Sequence, residues 1–332
     1  MRGLSAVAAA AAVAALAVAP AGGRSIDGFG VTTSPRVGIF FYPWYGTPTR
    51  DGAWQHWAQN GALPPRAIAS SFFPARGLYS SSDPGVLRAQ MADIASAGVG
   101  TVIVSWWGAG SVEDARLPEV AAAARAFGLR VAVHVEPYPG RTPATVRGDV
   151  ERLHALGIDD FYVYDSTRDA DADWLSVNRA LAGVRLFANT ALPGKAAAGG
   201  FAGLYTYDVA AYDGRSFARM CDGARRLRLV CAPSVGPGFD ARRATGDGTV
   251  RPRFGGATYD AMWRCALRAH ADAVTITSYN EWHEGTQIEP SVAGAGYESY
   301  DGAWGLVGAA AQRAYLARTA WWVRRYEERV PA

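Results

Sequence analysis

One stretch, residues 100–135, contains the repeating unit of this chain and reads GTVIVSWWGAGSVEDARLPEVAAAARAFGLRVAVHV. It begins with the apolar run Gly100–Trp106 and ends with the apolar run Arg130–Val135, both rich in the β-branched residues that favour strands. Between them, Val112–Phe127 is long enough for an amphipathic helix, and the Gly128 that follows is typical of a helix end. Strand, helix and strand in this order predict two parallel strands joined by a helix.

The same alternation continues along the chain from residue 36 without a linker or a low-complexity break. The strand candidates are continuously apolar segments, namely Val37–Tyr42, Gly100–Trp106, Arg130–Val135, Asp160–Tyr164, Val184–Asn189, Gly203–Tyr207, Leu227–Ala232 and Ala273–Ser278. The helix candidates are Pro84–Ala97, Val112–Phe127, Pro143–Ala155, Asp171–Ala182, Ser216–Arg226, Tyr259–Ala271 and a long one over Gly308–Glu328. Leu192–Gly200 is too short and too rich in glycine to be predicted as a helix.

This pattern of elements predicts a single-domain α/β fold. Eight parallel strands, each followed by a helix, close into a (β/α)8 TIM barrel. The alternative is an open doubly wound sheet, in which a G-x-G-x-x-G motif commonly follows the first strand. No such motif follows Val37–Tyr42, which favours the barrel.

The composition and the N-terminus limit where the protein acts. The chain has 332 residues, is 49% hydrophobic and carries a net charge of only +3, so disorder and nucleic-acid binding are not expected. Residues 1–21 resemble a signal peptide, with Arg2, an Ala-rich apolar run and the cleavage pattern Ala19-Pro20-Ala21. An uncleaved anchor is the alternative, but the run has about 15 residues and spanning needs about 20. We expect a secreted or periplasmic monomer without a membrane segment in its mature form.

The three cysteines are Cys221, Cys231 and Cys265, which allow at most one intramolecular disulfide. Pairing of Cys221 with Cys231, or of Cys231 with Cys265, is compatible with an exported protein. Cys231 also lies in an apolar strand pattern, where a cysteine commonly acts as a small buried hydrophobic residue. The sequence leaves these three interpretations open.

Polar and aromatic residues follow the predicted strands at the end where a barrel carries its active site. Such a cup suits a sugar, because pyranose C–H faces stack on aromatic rings and hydroxyls pair with polar side chains. The candidate binding residues are Tyr45, His56, Trp57, Trp106, Trp107, His134, Glu136, Tyr138, Tyr164, Asp165, Tyr205, Tyr207, Asn280 and Trp282. His56 and His134 could contact a substrate or support the residues that do. The sequence has neither H-x-x-x-H nor H-E-x-x-H, so we expect no metal and no cofactor.

Glu281 and Glu284, after the last predicted strand, are the leading catalytic candidates. Cleavage of a glycosidic bond usually requires two carboxyl groups, one of which protonates the leaving oxygen. Residues three apart on a regular strand face opposite sides, so the two carboxyl groups converge only if the backbone turns at once. Gly285 is consistent with such a turn. A lone glutamate here is more often a cap or an arginine partner, but these two together with Glu136 favour catalysis.

Several motifs resemble glycoside hydrolase family 99, the endo-α-1,2-mannosidases and endo-α-1,2-mannanases. They run in order from residue 41 to residue 289 and cover most of the chain. The motifs are FYPWYG at 41–46, DG at 51–52 with HW at 56–57, SFFP at 71–74 with YSS at 79–81, HVEPY at 134–138, FYVYDS at 161–166, YTY at 205–207, PSVGPG at 233–238 and ITSYNEWHEGTQIE at 276–289.

The resemblance implies a catalytic barrel over residues 36–330, after an N-terminal extension at 22–35, and metal-free endo cleavage with retention of configuration. It implies that Glu284 is the general acid and then the base. Glu281 would draw the proton from the sugar's own 2-hydroxyl, so that a 1,2-anhydro sugar forms. It also implies an α-mannoside substrate, a mannan or a high-mannose glycan.

The short loop Gly108–Asp114 leaves open whether glucose or mannose lies beyond the cut, because animal members of the family have a longer loop there. A barrel hydrolase of another α-linked polysaccharide and a non-catalytic carbohydrate-binding protein are the alternative functions.

Overall fold

The computed structural model describes residues 32–329. The predicted signal peptide, residues 1–21, and most of the predicted extension at 22–35 lie outside this range. Both therefore stay predictions. Within residues 32–329, no helix is long and apolar enough to cross a membrane.

The strands form one parallel sheet that closes on itself. Its successive strands are Ser34–Phe41, Val99–Trp106, Arg130–Val135, Asp160–Val163, Arg185–Asn189, Gly203–Tyr205, the pair Val230–Ala232 and Ser234–Val235, and Val274–Ile276. Proline cannot donate a ladder hydrogen bond, and Pro233 divides the seventh strand into its two pieces. The first piece pairs with the sixth strand and the second pairs with the eighth, which in turn pairs with the first. The predicted (β/α)8 barrel is confirmed.

Helices follow the strands around the outside of the barrel. They are Pro84–Ser96, Val112–Ala126, Pro143–His154, Asp171–Ala180, Pro193–Ala198, Phe217–Arg226, Ala257–Arg268, Ala309–Gln312 and Ala314–Glu327, with short helices at Pro48–Asp51 and Arg242–Thr245. Two predictions were wrong here. Residues 192–200 do contain a helix, which begins with Pro193 at a position where proline needs no N–H partner. The long helix predicted over Gly308–Glu328 is two helices that meet at Arg313.

Two features beyond the barrel strands shape its C-terminal face. Phe239–Asp240 and Val250–Arg251 form an antiparallel ribbon in the loop that follows the seventh strand. A second ribbon pairs Phe73–Pro74 with Ser291–Val292. Both ribbons lie next to the chain that leaves the eighth strand, so they cover it from outside.

A disulfide joins Cys221, in the helix Phe217–Arg226, to Cys231, in the strand that this helix precedes. Of the interpretations that the sequence left open, the pairing of Cys221 with Cys231 is therefore correct. Cys231 is also fully buried in the hydrophobic core, as its apolar strand pattern indicated, and Cys265 is a free cysteine.

Candidate active site

The chain reverses directly after the eighth strand, in the segment Ser278–Glu289, which we call the 278–289 turn. The Ser278 N–H donates to the Thr286 carbonyl over 2.9 Å, and the Ile288 N–H donates to the Ser278 carbonyl over 3.0 Å. Gly285 has a φ of +61°, and a Cβ there would lie 3.1 Å from the Asp240 carbonyl oxygen. Only glycine suits both conditions. The backbone reversal required for Glu281 and Glu284 to converge is present.

The Glu281 carboxyl group lies at the bottom of this turn and is almost fully buried. Its Oε1 accepts a hydrogen bond from the His283 N–H over 2.9 Å, while its own N–H donates to Ser278 Oγ over 2.8 Å. Burial and the charge of Glu284 raise the pKa of Glu281, whereas the backbone N–H groups of His283 and Glu284 favour its ionised form. Burial outweighs these N–H groups, so the pKa of Glu281 lies well above its ordinary value. A proton on Glu284 removes the second cause of this rise and so favours a charged Glu281.

Glu284 is the more exposed of the two carboxyl groups. Its Oε2 accepts a hydrogen bond from the Tyr207 hydroxyl over 3.1 Å. Burial raises the pKa of Glu284 to about 8, with smaller contributions from the charges of Asp208 and Glu136. A carboxyl group with this pKa holds a proton at neutral pH, so Glu284 can donate one.

Tyr207 connects Glu284 to the first strand. Its hydroxyl is hydrogen-bonded to the Tyr42 hydroxyl as well as to Glu284. Its φ of +48° is unusual for a residue other than glycine and costs about 1 kcal/mol. The Ser234 Oγ, which accepts from the Tyr207 N–H over 2.8 Å, and the Thr277 hydroxyl, which donates to its carbonyl over 2.9 Å, hold this conformation. Burial raises the pKa of Tyr207 well above its usual value, so its hydroxyl stays neutral and can donate.

A row of polar side chains from the second, third and sixth strands lies beside Tyr207. Ser105 Oγ donates to Glu136 Oε1 over 2.7 Å, and His134 Nδ1 lies 2.9 Å from the same oxygen. His134 Nε2 is 2.9 Å from the Tyr205 hydroxyl, and the His134 ring stacks on Tyr207 with centroids 5.2 Å apart. His134 is only 1% exposed, so the structure places it behind Tyr207, in a supporting position.

His56 reaches the site from the loop after the first strand. Its ring stacks on Trp44 at 4.3 Å with only 7° between the planes, and its carbonyl accepts a hydrogen bond from His283 Nε2. Burial, the neighbouring His283 and the charge of Arg116 lower the pKa of His56 to about 3. The His56 ring is therefore neutral in the range where a carboxyl pair works.

The sequence model of glycosyl hydrolase family 99 matches residues 33–328, which include the whole barrel and every residue of the site described above. The chain belongs to glycosyl hydrolase family 99. It is 31% identical to the glycoprotein endo-alpha-1,2-mannosidase-like protein of Danio rerio, over 77% of this chain and 71% of that protein. It is also 31% identical to the glycoprotein endo-alpha-1,2-mannosidase of Xenopus laevis, over 79% of this chain and 72% of that protein.

A solved structure from the same family has the same fold. The GH99 endo-alpha-mannosidase of Bacteroides thetaiotaomicron superposes with a TM-score of 0.82 at 29% identity, and the match covers 91% of this chain and 100% of that one. The chain is accordingly a glycoside hydrolase, and as a family 99 enzyme it acts on an oligosaccharide.

Seven of the predicted binding residues of this family 99 enzyme are enclosed and support the site from behind. The Asn280 side chain forms two hydrogen bonds with the Tyr42 backbone. It accepts from the Tyr42 N–H over 2.8 Å and donates to the Tyr42 carbonyl over 2.9 Å. The Tyr45 hydroxyl accepts from the Trp282 N–H over 3.0 Å. The predicted residues with 1% exposure or less are Tyr45, Trp57, Trp106, His134, Tyr205, Asn280 and Trp282.

Other predicted residues stay accessible around the cup. Trp107 is 36% exposed, while Tyr164 and Asp165 are half-buried. Tyr138 stands near them, but its hydroxyl is hydrogen-bonded to Asp149 on the following helix. Among the aromatic residues predicted after the second strand, Trp107 is therefore the one that a sugar can reach.

The site also contains three residues that were not predicted as site residues. They are Tyr42, Trp44 and His283, and all three lie in the motifs that resemble family 99. Tyr42 contacts Tyr207, whereas Trp44 stacks on His56 and lies 5.7 Å from the His283 ring. Tyr42 directly follows the first strand, and Tyr164 follows the fourth strand in the same way. That shared position is the sequence signal that could have identified Tyr42.

Proposed function

We propose that the chain is a retaining, endo-acting hydrolase of α-1,2-mannosidic bonds, with Glu284 as general acid and base and Glu281 as the base for the sugar 2-hydroxyl. The observation that carries this proposal is the 278–289 turn, which places two carboxyl groups of different surroundings near Tyr207. The names of the vertebrate relatives and of the bacterial structure support the choice of an α-mannoside.

The first step breaks the glycosidic bond. The Glu284 carboxyl proton moves to the glycosidic oxygen while the bond between that oxygen and the anomeric carbon breaks. The Glu281 carboxylate takes the proton of the 2-hydroxyl, whose oxygen attacks the anomeric carbon from the opposite face. In an α-mannoside the 2-hydroxyl is trans to the leaving group, so this attack is in line. The products are the released sugar and a 1,2-anhydro sugar.

The second step opens the 1,2-anhydro ring. Glu284, now a carboxylate, takes a proton from water, and the water oxygen attacks the anomeric carbon. The bond from that carbon to O2 breaks, and O2 recovers its proton from Glu281. Two inversions at one carbon give net retention, and both glutamates return to their starting protonation states.

The position of Tyr207 suits the change of Glu284 from acid in the first step to base in the second. Its hydroxyl donates to Glu284 Oε2 and so stabilises the carboxylate that remains after the first proton transfer. The Tyr42 hydroxyl, bonded in turn to Tyr207, holds that donor in place. The carboxylate is stabilised by a neutral donor and not by a cation, so the pKa of Glu284 stays raised.

The substrate extends past the reacting sugar toward Trp107. A half-exposed indole offers a flat apolar face, which suits the C–H face of a second pyranose. Products formed from a mannan and from a glucosylated high-mannose glycan distinguish mannose from glucose at that position. Release of a disaccharide establishes endo action, whereas release of a monosaccharide contradicts it.

The catalytic assignment is tested by Glu284→Gln and Glu281→Gln on two substrates. One is an α-1,2-linked manno-oligosaccharide, whose leaving group needs protonation. The other is a manno-disaccharide fluoride, whose leaving group needs little. Both variants should lose about 10³-fold in kcat on the oligosaccharide. Glu284→Gln should lose much less on formation of the anhydro sugar from the fluoride, whereas Glu281→Gln should be impaired on both.

Glu151→Gln is the matched control, because Glu151 lies on the outer helix Pro143–His154 with its side chain 53% exposed. It should behave like the wild type. Full activity of either Glu281→Gln or Glu284→Gln on the oligosaccharide contradicts the proposal.

A further inference from the structure

We propose that Arg253 is a positioning residue that sets the place of Glu284, although its side chain lies outside the barrel. Arg253 follows the ribbon strand Val250–Arg251 in the loop after the seventh strand. Its Nη2 donates to the Gly285 carbonyl over 2.8 Å and to the Gln287 carbonyl over 2.7 Å. The inference rests on the proposed role of Glu284 as the general acid.

The same loop also holds the carbonyl of Glu284 itself. The Asp240 N–H, on the other strand of the ribbon, donates to the Glu284 carbonyl over 2.7 Å. Asp240 and Arg253 together therefore bind three carbonyls, those of Glu284, Gly285 and Gln287. The backbone that carries the Glu284 side chain is fixed from outside the 278–289 turn.

Glu281 differs in this respect, because its position is fixed from within the turn. Its carboxyl group and its N–H are both bonded to turn residues, His283 and Ser278. The Glu284 carboxyl group is instead bonded to Tyr207, a residue of a different loop. A shift of the Gly285 backbone consequently displaces Glu284 from Tyr207, whereas the bonds of Glu281 to His283 and Ser278 remain.

The surroundings of Arg253 require a planar guanidinium group. Its Cζ lies 4.5 Å from the Phe72 ring centroid, 4.9 Å from that of Tyr300 and 4.7 Å from that of Tyr315. One guanidinium nitrogen bonds two carbonyls while the group contacts three rings. Lysine has a compact ammonium group without a planar face and cannot reproduce this arrangement.

A cavity of about 380 Å³ lies next to Arg253, and Gly285 and Arg251 also line it. It makes a chemical rescue possible. Truncation of Arg253 leaves space for a free guanidinium ion, which can enter through this cavity and bind the same two carbonyls. Arg251 provides the matched control, because its Nη2 donates to the Ala210 carbonyl, outside the 278–289 turn.

The test compares Arg253→Ala, Arg253→Lys and Arg251→Ala on the oligosaccharide and the fluoride defined above. Arg253→Ala should lose about 10- to 100-fold in kcat on the oligosaccharide with little change in KM, because a small misplacement of a catalytic group has this effect. Its loss in the single-turnover rate of fluoride release should be much smaller, because that step needs little protonation by Glu284, and millimolar guanidinium should restore part of the kcat lost on the oligosaccharide. Arg253→Lys should show the same substrate dependence, and Arg251→Ala should match the wild type.

An equal loss on both substrates, or a comparable loss in Arg251→Ala, overturns the inference. If Arg253→Ala does not fold, Arg253→Lys decides the same question through the ratio of its kcat on the oligosaccharide to its single-turnover rate of fluoride release. Glu284→Gln, measured in parallel, separates the two ideas. If Glu284→Gln does not discriminate between the substrates, the proposed function fails. If it discriminates and the Arg253 variants do not, only the positioning role fails.

Discussion

The 278–289 turn and the loop after the second strand, residues 107–111, each carry one tryptophan, and the two differ in their exposure. In the turn, Trp282 is fully enclosed and its indole N–H donates to Glu289 Oε2 over 3.0 Å. Trp106, the last residue of the second strand, is also enclosed, and its indole N–H donates to Asp114 Oδ1 over 2.8 Å. Trp107, one residue further, is 36% exposed.

We infer from this difference in exposure that the turn holds the catalytic carboxyl groups, whereas the loop contributes to recognition of the sugar. Hydrogen bonds inside the protein hold the backbone of the turn and the carboxyl groups of Glu281 and Glu284, which leaves little freedom for sequence change. The short loop presents Trp107 beside Gly108 and Gly110, whose positive φ values of 94° and 83° suit glycine. A loop of this kind can change in length without moving the carboxyl groups, so related enzymes can share a reaction and differ in the sugar they accept.

The largest expected effect comes from Glu289→Gln, which breaks the support of the turn. The buried Glu289 carboxylate accepts from Tyr79 over 2.7 Å, from Gln90 over 3.0 Å and from Trp282 over 3.0 Å. Arg76 Nε lies 3.3 Å away. A glutamine has one acceptor oxygen for these donors, so the free energy of unfolding should fall by about 3 kcal/mol.

Urea unfolding of Glu289→Gln and of the control Glu151→Gln measures this effect. The control removes an exposed carboxylate that pairs with Arg147 and should change the stability by less than about 0.5 kcal/mol. Equal unfolding midpoints for Glu289→Gln and the wild type would show that the turn does not depend on Glu289.

The second prediction concerns the stability cost of the raised pKa of Glu284. The pKa is about 8 in the folded protein against 4.5 for an ordinary glutamate, so the folded state binds more protons between these values. Wild-type stability therefore decreases as the pH rises through this window. Glu284→Gln does not titrate, so it should be more stable than the wild type at pH 8, by about 2 kcal/mol after allowance for the partial exposure of the side chain.

Unfolding free energies at pH 5 and pH 8 check this prediction. The advantage of Glu284→Gln should shrink toward pH 5, where the wild-type carboxyl group is protonated in the folded state and increasingly protonated in the unfolded state. Glu151→Gln should show no such pH dependence. An advantage that is the same at both pH values would mean that the stabilisation does not arise from desolvation of the charge.

The contrast between turn and loop also shows what sequence patterns can predict. Arg130–Val135 has the predicted bounds, because a continuous run of strand-forming residues is a local signal. The break in the predicted helix Gly308–Glu328 is not local. Arg313, at the junction, forms an ion pair with Asp93, which lies 220 residues earlier in the chain.

The site follows the same rule. The positions of Glu281 and Glu284 after the last strand, and the turn at Gly285, could be predicted from the motif itself. The role of Asn280 could not, because its amide binds the Tyr42 backbone, 238 residues away. Which tryptophan of the pair after the second strand is enclosed depends similarly on Asp114, in the helix that packs beside it. Such partners are determined by tertiary packing, which periodicity does not describe.

The smallest expected effect belongs to the loop. Trp107→Ala removes the exposed ring and should raise KM for a manno-oligosaccharide about 10-fold, which corresponds to roughly 1.4 kcal/mol, within the range of one aromatic contact. Among the described residues, no aromatic pair joins Trp107 to the 278–289 turn. The kcat and the free energy of unfolding should therefore stay close to those of the wild type.

Trp107→Phe is the conservative variant and should recover most of the affinity, since it keeps an aromatic face. Steady-state kinetics on a series of oligosaccharides of increasing length locates the effect. The KM difference between Trp107→Ala and the wild type should appear only when the substrate is long enough to place a second sugar on the ring. A KM that is unchanged at every length would remove Trp107 from substrate binding. A fall in kcat at saturating substrate would mean that the loop and the turn are coupled. It would contradict the inference that Trp107 acts in sugar binding alone.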